Sequence, residues 1–205
     1  YNITYISGFR GECKGVGMRF LALVLIGLAQ PVLAEVPRVV TDVPPVQALV
    51  AQVMGELGAP VLLLEKGADE HDFQMRPSQR RALAGADLVV HEQPRAQWAA
   101  HGIDPDRWRA AQPDLVVCSL TPFGLSGPYA DFRATELNVM HGGGWAWLAP
   151  GASDRPDLPP LRAPVDLAAL QSATGAALCA LACVDRAQRH GIGAHIDYSM
   201  QSHVA

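Results

Sequence analysis

The sequence predicts an α/β protein built from parallel-sheet βαβ units. Short apolar runs of strand length alternate with stretches whose apolar residues recur at helical spacing. The order strand, helix, strand, helix, strand implies a parallel layer covered by helices. With 205 residues, 49% of them hydrophobic, the chain is long enough to bury a core without staples. We expect two partial domains of this class, joined near residues 83–90.

The first partial domain covers residues 35–90 and shows the alternation most regularly. Pro44 and Pro45 favour a helix start, and Gly58 favours its end. The helix between them has its apolar residues on one face: Val46, Leu49, Val50, Val53, Met54 and Leu57. The predicted strands are Arg38–Thr41, Val61–Leu64 and Asp87–Val90, and the predicted helices are Pro44–Leu57 and Ser78–Ala84.

The second partial domain covers residues 91–205 and contains the most distinct helix of the chain. Apolar residues follow helical spacing over Leu167–Gln188, with Asp166 at the N-cap position and Gly191 just past the end. The preceding segments predict two short helices within 94–112, a buried strand Leu115–Leu120, a turn-rich loop TPFGLSGPYAD, and a helix that begins at Glu136. A closing strand follows in GIGAHIDYSM.

Residues 18–34, MRFLALVLIGLAQPVLA, have the order of charge, apolar run and small residues that is typical of a secretory signal peptide. The apolar run is too short to span a bilayer. A buried core helix is the alternative interpretation. Residues 1–17 form a doubtful leader without periodicity, and because position 1 is Tyr we expect a fragment or a sequence read from too far upstream.

Composition limits the partners and the compartment. A net charge of −4 without a dense basic stripe makes nucleic acid an unlikely partner. The cysteines are Cys13, Cys118, Cys179 and Cys183, and their spacing matches neither a metal site nor a helical disulfide. We expect buried free thiols, which suit a reducing compartment and conflict with export.

The stretch EKGADEHDFQMRPSQ, placed between a predicted strand and a helix, resembles the periplasmic zinc-binding subunit of zinc ABC importers. The resemblance covers about residues 35–90 and the signal. It implies His71 as a zinc ligand, Glu70 as its possible partner, and a membrane subunit of an ABC importer as protein partner. One histidine and one glutamate cannot complete a tetrahedral zinc site. A histidine in a surface loop is the alternative for His71.

The stretches SLTPFG, GPYAD, LRAPVDLAALQSATGAALCALA and HIDYSM, in that order, resemble the type III CoA-transferases over roughly residues 86–205. The resemblance implies an enzyme that needs no covalently bound cofactor and takes an acyl-CoA thioester and a carboxylic acid as substrates. It implies that Asp166 attacks the thioester, with the helix N-terminus offering amides to the developing oxyanion. The alternative is that Asp166 only caps its helix. The family forms interlocked dimers, which we do not expect this chain to complete.

Two further motifs are interpreted as structural. HGGGW at residues 141–145 has no nucleophile elbow near it, and we expect it to be packing sequence. The glycines of GIGAH follow a helix and precede a strand, the reverse of a dinucleotide fingerprint. His195 is therefore expected to be a strand residue rather than a catalytic base.

Three hypotheses follow. The chain is a cytoplasmic CoA-transferase fragment, an exported periplasmic zinc-binding protein, or a chimeric reading frame with neither activity. Both families have an alanine-rich helix followed by a strand of the type ADLVV, so the join is placed in LAGADLVV, residues 83–90. The acyl donor, the acceptor acid and the oligomeric state do not follow from the sequence.

Overall fold

The centre of the fold is a five-stranded, all-parallel sheet with the strand order β2-β1-β3-β4-β5. The structure, a computed structural model, describes residues 35–63, 76–100, 104–145, 157, 162–163 and 165–205. The strands are β1 (Val39–Thr41), β2 (Val61–Leu62), β3 (Leu88–His91), β4 (Val116–Thr121) and β5 (Ala194–Ser199). The helices are α1 (Pro44–Met54, followed by a 3-10 turn Gly55–Leu57), α2 (Pro77–Ala84), α3 (Arg95–Ala100), α4 (Pro105–Ala111), α5 (Glu136–Gly142), α6 (Leu167–His190) and α7 (Met200–Val204).

This architecture confirms the α/β class and the parallel sheet. Except for α7, which was not predicted, each described strand and helix begins and ends within a few residues of its predicted bounds, because apolar periodicity and proline or glycine boundaries are local signals. The described residues from Val36 onward belong to one compact unit, Val36–Ala205. The signal-like segment 18–34 lies outside the described residues.

The sheet continues across the expected join at residues 83–90. β1 lies next to β3 in parallel register, with Val40 opposite Val89. At the carboxyl end of β1, the buried Asp42 accepts hydrogen bonds from the backbone N–H groups of Val43 (2.8 Å) and Glu92 (3.0 Å). The carboxylate therefore ties the end of β1 to the segment that follows β3.

Each face of the sheet is covered by its own apolar cluster. On one face the side chains come from three strands, the ends of α2 and neighbouring loops: Val40, Leu63, Leu83, Ala86, Val89, Leu115 and Val117. On the other face Cys118 packs against Ala176 and Ala180 of α6. Alternation of side chains along β4 explains why Val117 and Cys118 serve opposite faces.

The long helix α6 packs on the sheet through a stripe of small side chains, not through its leucines. The buried residues are Ala168, Ser172, Ala176, Ala180 and Val184, one every four positions. Leu170, Leu178 and Leu181 are exposed, so the apolar spacing counted in the sequence does not mark the buried face. By length and composition α6 could cross a membrane, but here it packs against β4 and β5.

Two expectations about the described side chains need correction. The described cysteines are free, as expected, but Cys179 is exposed and Cys183 only half-buried, because both lie off the packed stripe of α6. On α1, Leu49 and Val53 are exposed, so the apolar face counted in the sequence is not buried as a whole.

Candidate active site

Asp166 lies at the mouth of a cleft of about 600 Å³ that forms where α5, α6 and α7 approach one another. The cleft is lined by Pro122, Ala134, Thr135, Glu136, Leu137, Val139, Arg162, Asp166, Ala169 and Met200. A cleft of this volume is within the range of small-molecule sites. Its walls are mainly apolar, with a small polar group at the start of α6.

The SLTPFG and HIDYSM motifs position one wall of the cleft. Asp197 on β5 accepts a hydrogen bond from the N–H of Leu125 (2.9 Å), and the N–H of Gln201 donates to the carbonyl oxygen of Pro122 (3.0 Å). Gly124 has a φ of +84°, and a Cβ on it would lie 3.3 Å from Oδ1 of Asp197. A side chain there would be strained, so the loop after β4 requires this glycine.

The carboxylate of Asp166 does not cap its own helix. Asp166 occupies the N-cap position of α6, but its side chain makes no cap hydrogen bond to the described helix. Instead its Oδ1 lies 3.0 Å from Nη2 of Arg162, and the side chain is 66% exposed. An exposed ion pair of this kind contributes little to stability, so the expected structural role of Asp166 as a cap is absent here.

Glu136 performs the capping, from a different helix. Its Oε1 accepts a hydrogen bond from the N–H of Ala168 (2.5 Å) and its Oε2 from that of Ala169 (3.2 Å). Glu136 lies 30 positions before Asp166 in the sequence, in the first turn of its own helix, and sequence reasoning did not identify it. An acidic residue in a first turn is read as a cap of its own helix, so the sequence carried no signal for this contact.

The first amides of α6 are therefore engaged. The N–H of Leu167 donates to Val165 O (2.8 Å), and those of Ala168 and Ala169 donate to Glu136. The expectation that these amides would bind an oxyanion was wrong for this arrangement, because a carboxylate already satisfies them. What remains at the site is an accessible carboxylate beside a guanidinium.

A buried polar array crosses the centre of the sheet. Oγ of Ser119 lies 2.6 Å from Nε2 of His91 and 2.9 Å from Nε2 of His195, whose Nδ1 lies 3.4 Å from Oδ1 of Asp106. A hydroxyl has one proton, so Ser119 donates to one ring and accepts from the other. Ser119 is fully buried and cannot reach a substrate. The array is structural, and His195 is a strand residue as the sequence predicted.

Burial has a strong effect on His91 in this array. Loss of hydration, and secondarily the charge of His195, lowers the pKa of His91 from 6.5 to about 3. The imidazole is therefore neutral throughout the physiological range.

The glycines of HGGGW pack against α7. A Cβ on Gly143 would lie 2.6 Å from Cγ2 of Val204, and Gln201 Nε2 donates to the carbonyl oxygen of Gly142 (2.9 Å). Backbone contact at this distance requires the absence of side chains. The geometry agrees with the interpretation of this motif as packing sequence.

The predicted zinc ligands His71 and Glu70 lie outside the described residues. Within the described part of the chain, no group of three or more His, Cys, Asp or Glu side chains is arranged to hold a metal ion.

Comparison with known proteins gives two kinds of relative. A stretch of 91 residues is 55% identical to the high-affinity zinc uptake system protein ZnuA of Paracoccus denitrificans and covers 44% of this chain and 26% of that protein. A stretch of 121 residues is 32% identical to the succinate–glutarate CoA-transferase of Agrobacterium fabrum and covers 59% of this chain and 29% of that protein. The chain thus spans less than a third of the length of these curated relatives.

Similarity in structure and in family pattern agrees with the second relative. A CAIB/BAIF family protein from Brucella suis aligns over 67% of this chain and 35% of its own length, with a TM-score of 0.58 and 27% sequence identity. The family model of CoA-transferase family III matches residues 74–205. That match covers more than half of the chain and includes the cleft, so the chain belongs to CoA-transferase family III.

Proposed function

We propose that the chain transfers CoA from an acyl-CoA to a carboxylic acid, with Asp166 as the covalent nucleophile. The observation that supports this role most directly is the state of the Asp166 carboxylate. It is exposed at a cleft, it is not used as a helix cap, and its Oδ1 lies 3.0 Å from Nη2 of Arg162. Family membership adds the chemistry of the substrates.

In the proposed reaction, Asp166 forms first a mixed anhydride and then a thioester with CoA. The Asp166 carboxylate attacks the carbonyl carbon of the thioester, and the C–S bond breaks. CoA departs as its thiolate, and a mixed anhydride of Asp166 and the acyl group remains. The thiolate then attacks the Asp166 carbonyl carbon, which releases the first acid as its carboxylate and leaves an Asp166–CoA thioester. The acceptor carboxylate reverses both steps, so that acyl-CoA forms and the Asp166 carboxylate is restored.

The test is the transfer of CoA from succinyl-CoA to glutarate by the purified protein. This is the substrate class named for the Agrobacterium relative. Asp166→Asn should abolish transfer, because an amide cannot form the anhydride. Asp185→Asn is the matched control, since Asp185 forms a similar i,i+4 ion pair with Arg189 at the other end of α6 and should keep wild-type activity. Equal activity in wild type and Asp166→Asn would refute the assignment.

A second candidate function is zinc binding, supported by the 55% identity to ZnuA over 91 residues. In this proposal His71, with Glu70 as possible partner, contributes to a zinc site of an exported protein that delivers the ion to an ABC importer. Purified protein should then retain stoichiometric zinc, and His71→Ala should lose it. Absence of zinc in the wild-type protein after equilibration with the metal would exclude this function.

Localisation distinguishes the two candidates. If the segment 18–34 is a working signal peptide, cell fractionation should give a periplasmic form that begins at Glu35. A CoA-transferase should remain with the cytoplasmic acyl-CoA pool. N-terminal sequencing of the purified protein from each fraction decides between these outcomes.

A third candidate is a chimeric reading frame without either activity. The support for it is that the curated relatives fall in two unrelated families. Amplification across codons 80–95 from source DNA should then fail. A continuous product of the expected length would remove this candidate.

A further inference from the structure

We propose that Arg162 is the binding residue for the carboxylate of the acid substrate. It pairs with Asp166 in the resting protein and with the substrate carboxylate while Asp166 carries CoA as a thioester. The inference rests on the proposed CoA-transferase function and assigns to it a carboxylate subsite and a class of acceptor.

Charge and position single out Arg162. Among the described residues that line the cleft it is the one cation, beside two carboxylates, Glu136 and Asp166. The two amides of α6 already hold the Glu136 carboxylate. The Arg162 guanidinium therefore supplies the positive charge that an incoming anion meets.

The guanidinium has capacity for a second carboxylate. Its Nη2 lies 3.0 Å from Asp166 Oδ1, and its side chain is 64% exposed. A guanidinium presents several N–H donors in a fixed fork, and toward the described residues Arg162 makes this one hydrogen bond. Arg162 also lines the cleft, so its remaining donors are available for a bidentate contact with a substrate carboxylate.

The balance of charge in the reaction requires such a group. When CoA thiolate attacks the acylated Asp166, the anhydride C–O bond breaks and the negative charge passes to the released acid. Asp166 has been neutral since it formed the anhydride and stays neutral as the thioester, so Arg162 is without its anionic partner when the new carboxylate appears beside it. The reverse exchange accompanies the attack of the acceptor acid.

The walls restrict the body of that acid. Pro122, Val139, Ala169 and Met200 contribute apolar surface to the cleft, which suits an acid with an apolar body. We therefore assign the acceptor to carboxylic acids of this kind, anchored through the carboxylate that reacts.

Steady-state kinetics with succinyl-CoA and glutarate test the subsite. Arg162→Gln should raise the KM for glutarate about tenfold, the loss expected for a charge-assisted hydrogen bond, and leave the KM for succinyl-CoA nearly unchanged. Arg162→Lys should fall between, because it keeps the charge and loses the fork. Arg189→Gln, which breaks the matched pair with Asp185, should behave as wild type. An unchanged KM for glutarate, or equal rises for both substrates, would overturn the inference.

A binding measurement separates this inference from the proposed function. Asp166→Asn removes the anion that competes for Arg162, so calorimetric titration should show tighter glutarate binding than in the wild type. The double variant Arg162→Gln with Asp166→Asn should lose that binding. Failure of the single variant to bind glutarate contradicts the subsite. Binding without any transfer in the wild type contradicts the proposed function alone.

Discussion

At the scale of single residues, the two carboxylates at the start of α6 have different partners. Glu136 satisfies the amides of Ala168 and Ala169, and Asp166 is left with an exposed carboxylate at the cleft. A capping aspartate would be held against backbone N–H groups. Capping from α5 therefore leaves the Asp166 carboxylate exposed at the cleft.

Removal of Glu136 should destabilise the fold. Glu136→Ala leaves the amides of Ala168 and Ala169 without acceptors, and we expect the free energy of unfolding to fall by about 2 kcal/mol. Glu136→Gln retains one acceptor oxygen and should lose roughly half as much. Urea denaturation measures both, with the exposed Glu56→Ala as control. Equal midpoints for Glu136→Ala and the control would show that the contact does not hold the helix.

The sequence identified only part of this site. Asp166 was found because it precedes a strongly periodic helix and a family motif. Glu136 and the loop at Pro122 reach the cleft through tertiary packing, and no local pattern reports which side chain will meet a helix end 30 residues away. His91 and Ser119 were likewise invisible as a pair, because strand register, not spacing, brings them together.

At the scale of elements, the sequence predicted the helices and strands better than the faces they bury. α6 shows why: its leucines have the larger apolar surface, yet the alanine stripe packs on the sheet. Small side chains let helix and sheet backbones approach closely. Hydrophobicity favours burial of the leucines, whereas close approach of the helix to the sheet favours the alanines. The sequence alone does not show which of the two effects determines the buried face.

The entry into β5 depends on one glycine. A Cβ on Gly193 would lie 2.1 Å from the carbonyl oxygen of Leu115, a contact that only a backbone shift relieves. Gly193→Ala should therefore lower the free energy of unfolding by about 3 kcal/mol, seen as a lower thermal midpoint. Gly85→Ala is the control, since its nearest new contact is a side-chain atom at 3.4 Å. Similar midpoints for the two variants would contradict the packing of β5 against the start of β4.

At the scale of the whole molecule, one sheet joins the segment that resembles a zinc-binding protein to the segment that resembles a CoA-transferase. Val40 packs with Val89 and Val117 in a single cluster. Arg38 and Asp87, which lies within the expected join, form a hydrogen-bonded ion pair with 2.9 Å between Nη2 and Oδ1. The hydrogen bonds from Arg38 outweigh the effect of burial and lower the pKa of Asp87. Because parallel βαβ units share strand spacing and hand, segments from two families can continue one sheet.

Two buried groups of this sheet should oppose each other in the pH dependence of stability. Burial lowers the pKa of His91 from 6.5 to about 3. Between these pH values the imidazole binds a proton in the unfolded chain but not in the folded chain. The free energy of unfolding therefore falls as pH falls. Burial, aided by the charge of Glu92 and opposed by backbone hydrogen bonds, raises the pKa of Asp42 from 3.8 to about 6. In that window the folded chain binds the extra proton, and stability rises as pH falls.

Asp42→Asn should remove the contribution of Asp42 to the pH dependence of stability and leave that of His91. In the wild type the two contributions nearly cancel between pH 4 and 6, whereas the variant should lose up to about 1.4 kcal/mol per pH unit on acidification. Its stability relative to wild type should therefore decline by roughly 2 to 3 kcal/mol from pH 6.5 to pH 4. Surface carboxylates titrate alike in both proteins and drop out of the difference. Urea denaturation across this range measures it, and a difference that stays constant with pH would mean that Asp42 is not a buried acid that ties β1 to the segment after β3.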